Sequence, residues 1–115
     1  MSHPLTDPWF DAHFIADAPD SPLGSFRKQT SMTGACGLFL WCPCSYGKDS
    51  GAHGLIVPFT NAPEHNFLIR SRDGLTKPKW TATGTGLADL SCAPSIDVGT
   101  PSCWHGYITN GVVIP

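Results

Sequence analysis

The chain has 115 residues, of which 41% are hydrophobic and 14% charged, with a formal net charge of -2. That length makes one domain with a single modest core, and its seven scattered Lys and Arg residues form no basic stripe of the kind a nucleic acid requires. No apolar run approaches the ~18 residues of a membrane span, and the start Met1-Ser2-His3-Pro4 lacks a secretory signal, so a cytoplasmic protein with no nucleic-acid or membrane partner is expected.

Eleven prolines and twelve glycines argue against long helices, because proline removes a backbone donor and glycine costs helix stability. The sequence therefore predicts an all-β fold, a small sheet or open barrel, preceded by a Pro-rich N-terminal arm over residues 1–35. In that arm Trp9, Phe10, His13 and Phe14 recur at one-turn spacing, which predicts a short amphipathic helix opened by Asp7-Pro8. Its aromatics either pack on the β core or anchor a partner chain.

Residues 36–115 read as the β domain. Leu38-Phe39-Leu40-Trp41 is the first predicted strand, followed by Leu55-Ile56-Val57-Pro58-Phe59 and Asn66-Phe67-Leu68-Ile69-Arg70. Lys79-Trp80-Thr81-Ala82-Thr83 is bounded by Pro78 and Gly84. Short pieces over 87–90 and at Ser95-Ile96 flank Pro94. The last element spans Gly106 to Ile114 and holds Asn110-Gly111. Asn-Gly between two β-rich runs predicts a type I′ hairpin, since both residues tolerate positive φ.

Two clusters carry metal-ligand chemistry, Cys42-Pro43-Cys44 and Cys103-Trp104-His105. Structural zinc collects four thiolate or imidazole ligands, usually as close pairs from distant loops. An odd total of five cysteines fits a disulfide framework poorly, although Cys103 paired with Cys42 or Cys44 is the alternative. Structural Zn2+ is thus expected on Cys42, Cys44 and Cys103. The fourth ligand stays open between His105, His53, Cys36 and water. Zinc would clip the middle of the chain to its end, a contribution on the order of 10 kcal/mol in finger peptides. Cys92, in an apolar stretch, reads as a buried core thiol, while His3, His13 and His65 have no ligand-like neighbours.

Phe39-Leu40-Trp41-Cys42-Pro43-Cys44, then Leu90-Ser91-Cys92-Ala93-Pro94-Ser95-Ile96, then Cys103-Trp104-His105-Gly106-Tyr107-Ile108-Thr109-Asn110-Gly111 occur in that order. Over about residues 37–114 this resembles the BubE-like family of small bacterial and phage zinc-binding proteins. The resemblance implies a zinc-stapled β domain. It also implies a serine peptidase acting on ubiquitin-like or other protein substrates, with Ser95 at the nucleophile position and His105 as general base. Other members of that family are phage or prophage proteins of unassigned role, which places this chain in a bacterial host cell or a virion.

The chemistry is coherent, because a serine hydroxyl is inert at neutral pH until an imidazole takes its proton. Asp97 would orient that imidazole, and a backbone donor pair near Gly99 or Gly106 would serve as the oxyanion hole. Ser45-Tyr46 stand where many family members carry a further cysteine, which leaves the site one thiolate short. If His105 fills that place, its lone pair is committed and it cannot act as base; with His53 as fourth ligand, both roles coexist. The plain alternative for Ser95 is a turn serine after Pro94.

Two other functions fit the sequence. One is a non-catalytic phage accessory or virion protein working through protein–protein contacts at Trp9, Phe14, Trp41, Trp80 and Trp104. The other is a zinc hydrolase using Asp49 or Glu64 beside an open metal position. No Gly-rich phosphate loop followed by lysine is present, so no nucleotide is expected.

Overall fold

A computed structural model describes residues 2–17, 26–47, 54–61, 79–98 and 104–114. The elements are all strands and single 3-10 turns. Strands β1 (His3–Pro4), β2 (His13–Asp17), β3 (Phe26–Gln29), β4 (Gly37–Trp41), β5 (Gly54–Pro58), β6 (Thr81–Thr83), β7 (Ser91–Val98), β8 (Trp104–Thr109) and β9 (Val112–Ile114) follow in chain order. They form two open antiparallel sheets. One has the order β1-β9-β8-β7-β6 and the other β3-β2-β4-β5. The all-β expectation holds, in the form of open sheets rather than a closed barrel.

One core lies between the sheets. Leu38 and Leu40 alternate inward along β4, Trp104 and Ile108 along β8, and these meet Val57, Trp80, Leu90, Ile96 and Val113. Each fully buried Leu, Ile or Phe here is worth about 1.5–3 kcal/mol against exposure. An isolated parallel bridge between Phe59 and Trp80 joins the end of β5 to the start of β6. The strand expected over 66–70 lies outside the described residues.

The N-terminal segment is built into both sheets. β1 pairs with β9, and β2 lies between β3 and β4. Leu5, Phe10 and Phe14 are fully buried in the shared core. The short helix expected across Trp9–Phe14 is a single 3-10 turn over Pro8–Phe10. The Asp7 carboxylate accepts the Trp9 N–H at 3.0 Å, and Asp11 then turns left-handed at φ 47°. Strand pairing wins beyond that point, since Phe14 and Ile15 each have register partners on both β3 and β4.

The terminal hairpin follows the sequence closely. Asn110 and Gly111 have φ of 50° and 75°, both positive as a type I′ turn requires. The tip is pinned by three contacts: Asn110 N–H donates to Ser91 Oγ, Gly111 N–H to the Leu90 carbonyl, and Leu5 N–H to the Gly111 carbonyl. The stretch expected as a strand piece before Leu90 is instead a loop, tied by Asp89. Its carboxylate accepts from Thr85 and Gly86 N–H and from the Thr85 hydroxyl. These bonds hold the Asp89 carboxyl below its ordinary range, those from Thr85 N–H most strongly.

Two glycines separate conformational strain from steric contact. Gly34 and Gly111 have nearly equal φ, 76° and 75°. Among the described residues a Cβ on Gly34 meets nothing within 4 Å, whereas one on Gly111 would fall 2.1 Å from the Ala88 carbonyl oxygen. Gly34→Ala is expected to cost about 1–2 kcal/mol from the left-handed backbone alone. Gly111→Ala should cost clearly more, because backbone must also shift. Urea unfolding of both variants checks this, and equal costs would contradict the close packing of the hairpin tip.

Candidate functional site

The β7–β8 pairing is irregular at one place. Cys92 pairs with Ile108 and Ile96 with Gly106, so residues 93–95 of β7 lie opposite Tyr107 alone. Pro94 sits in this bulge, where its missing N–H removes no ladder bond, and the Ala93–Pro94 peptide is cis. Cys92 and Ile96, four residues apart, both face the core, while Pro94, which a regular strand would also turn inward, is exposed with Ala93 and Ser95 is half-buried. Bulges commonly re-aim a side chain in this way.

On the outer face of the sheet, Ser95 Oγ lies 3.2 Å from His105 Nε2. His105 is exposed, as the strict in–out alternation of β8 dictates, with Trp104, Gly106 and Ile108 facing inward. Asp97 is the register partner of His105 and follows Ser95 by two residues, positions that share one sheet face. The sequence-predicted serine and histidine are therefore brought within hydrogen-bond reach, and Asp97 is placed directly across from His105 on β7. The Ser95 carbonyl has its own partner, accepting from Trp80 Nε1–H at 3.2 Å. Nothing in the sequence signals that bond. Pro94 inside a β-rich run was the only local sign of the bulge that creates it.

The cysteine knuckle is a second 3-10 turn, Pro43–Ser45, entered from Cys42. Cys42 is fully buried and Cys44 exposed. Among the described residues no group of three or more His, Cys, Asp and Glu is placed to hold a metal, so His105 is not gathered with Cys42 and Cys44. Cys103 and His53 lie outside the described residues, as do Asp49, Glu64, His65 and Gly99. Cys36 is buried with Ile15, beside Phe39 and Ile56. Gly106 faces the core against β9, where a Cβ would fall 2.1 Å from the Ile114 carbonyl oxygen.

An aromatic cluster that sequence reading did not anticipate ties the knuckle to the N-terminal segment. Tyr46 stacks on the His3 ring with centroids 3.8 Å apart and also meets Trp9 and Phe10. Its hydroxyl donates to the Asp7 carboxylate, which lowers the Asp7 carboxyl and raises the Tyr46 phenol. His13 stacks on Phe39, with Nδ1 2.8 Å from the Asp11 carbonyl oxygen. Of the aromatics considered for a partner surface, Phe14, Trp80 and Trp104 are core residues. Among the described residues the exposed large hydrophobics are instead Tyr46 and Tyr107.

No helix among the described residues is long and apolar enough to cross a membrane. Comparison with family models, with curated proteins and with solved structures finds no match.

Cys92 is the core thiol expected, 5% exposed, and burial pushes its pKa from 9.0 up to about 12. The unfolded thiol ionises above its ordinary value while the folded one stays neutral, so its effect on stability is absent below that value. As pH rises from 9.0 towards about 12, the native state loses stability on the order of a few kcal/mol through this group. Urea titrations at rising pH should show a steeper alkaline loss in wild type than in Cys92→Ala. Parallel pH profiles would show that the thiol is not held neutral by burial.

Proposed function

We propose that this domain is a small serine hydrolase of the peptidase type, acting on a protein substrate and related to the BubE-like proteins that its motifs resemble. The observation that carries this reading is the 3.2 Å approach of Ser95 Oγ to His105 Nε2. In this scheme the neutral His105 imidazole takes the Ser95 hydroxyl proton at Nε2 as Oγ bonds to the acyl carbon. The carbon–nitrogen bond then breaks, and the proton passes from His105 to the leaving amine. Water, deprotonated in turn by His105, releases the acyl group and restores the Ser95 hydroxyl. Asp97 is assigned the orientation of the imidazole, on its register position alone. The exposure of His105 on an open sheet face favours a folded protein as substrate, since a partner of that size itself excludes water from the reacting atoms.

Structural Zn2+ belongs to the same proposal, with Cys42, Cys44 and Cys103 as thiolate ligands. Engagement of His105 with Ser95 favours His53 over His105 as the fourth. Bound there, zinc would hold the knuckle to the start of β8 and so support the strand that carries the base.

A fluorophosphonate probe tests the catalytic assignment. Attack by Ser95 forms an Oγ–P bond and expels fluoride, leaving a stable adduct on that residue. Wild type should be labelled at Ser95, Ser95→Ala not at all, and His105→Ala at least ~100-fold more slowly. Absence of adduct on folded wild type would remove the peptidase reading and return the domain to a non-catalytic, protein-binding role. For the metal, wild type should retain about one zinc per chain. Cys42→Ser and Cys103→Ser should lose both zinc and cooperative melting; metal-free protein that still melts cooperatively would refute a structural zinc.

A further inference from the structure

We propose that Trp80 is the positioning residue of the Ser95–His105 pair. Its indole N–H, by holding the Ser95 carbonyl, sets where the Ser95 hydroxyl points. This inference rests on the hydrolase reading and concerns what fixes the serine against the histidine.

The ladder between β6 and β7 ends at the pair Thr81–Ala93. Beyond it the Ser95 carbonyl accepts from a side chain, the Trp80 indole, at 3.2 Å. On the other side, the regular pairing of β7 with β8 is interrupted between Cys92 and Ile96. Ser95 thus sits where neither neighbouring strand imposes ladder geometry. The indole bond restrains the Ser95 carbonyl and so its ψ, and together with the buried Ile96 that follows this limits the direction of the Ser95 Cα–Cβ bond.

The donor itself is rigid. Trp80 is 4% exposed, its backbone N–H donates to the Pro58 carbonyl at 2.9 Å, and its carbonyl accepts from Thr60 N–H at 3.1 Å. These bonds lock Trp80 where the two sheets meet, so the position of Ser95 is referred to the junction between them. Trp104 provides the contrast. It is as deeply buried, yet among the described residues its Nε1–H has no hydrogen-bond partner.

The test measures the rate constant of Ser95 phosphonylation by the fluorophosphonate in the full chain. Trp80 is replaced by benzothienylalanine, which keeps the ring shape and exchanges the N–H for sulfur. Loss of the donor should slow labelling about tenfold, a barrier change of ~1.4 kcal/mol, in protein that still folds and melts cooperatively, with its melting temperature lowered only by the loss of one hydrogen bond. His105→Ala should then slow the substituted protein about tenfold less than it slows wild type, because serine and histidine are already partly uncoupled. Labelling at the wild-type rate, or an equal His105→Ala penalty in both backgrounds, would overturn the positioning role while leaving the dyad intact. A wild type that takes no label brings down the dyad and this inference together.

A check that needs no substitution is the Trp80 indole N–H resonance, which should shift when Ser95 is phosphonylated. An unmoved resonance would overturn the coupling.

Discussion

The bulge between Cys92 and Ile96 is the constraint on which the outer face of this domain depends. A regular strand would have carried Pro94 into the core between those two residues. The bulge leaves Pro94 exposed instead, while Cys92 and Ile96 stay inward and Ser95, which alternation already places on the opposite face, meets His105. The bulge also frees the Ser95 main chain from regular pairing, and the Trp80 indole recaptures it. The exposure of Pro94 and the release of the Ser95 main chain are therefore consequences of one irregularity.

The first strands of the chain serve the same end from the other sheet. Leu5 and Phe10 fill the core, while Asp7 and Tyr46 join the segment to the cysteine knuckle through one hydrogen bond and an aromatic stack. The Asp7–Tyr46 pair is exposed, so its own contribution to stability is small. Its role is directional, since it brings the turn after Cys42 against the N-terminal segment. A zinc ion on that knuckle would add to an arrangement that packing has already made.

Alternation and turn chemistry made much of this fold readable from residues alone. β4, β5 and the terminal hairpin follow from period-two apolar patterns and from Asn110-Gly111, because those signals are local. The spacing of Trp9, Phe10, His13 and Phe14 misled for an equally clear reason. Helical periodicity over one turn is weak beside the pairing of β2 with strands on both sides. At the site, Ser95, His105 and Asp97 were visible as residue types. Their juxtaposition was not, because it depends on a non-local register shift, and the Trp80 bond spans distant parts of the chain. Cys42 and Cys44 were visible as a pair, but burial divides them in a manner the sequence does not show.

The zinc and hydrolase schemes meet at one nitrogen, His105 Nε2, which either accepts the Ser95 hydroxyl or binds metal. Ring-nitrogen NMR of 15N-histidine-labelled protein reads its state directly. The account predicts a neutral His105 with the proton on Nδ1, and an Nε2 resonance that moves when Ser95 is changed to Ala. An Nε2 resonance at a metal-bound position, or one indifferent to Ser95→Ala, would contradict it.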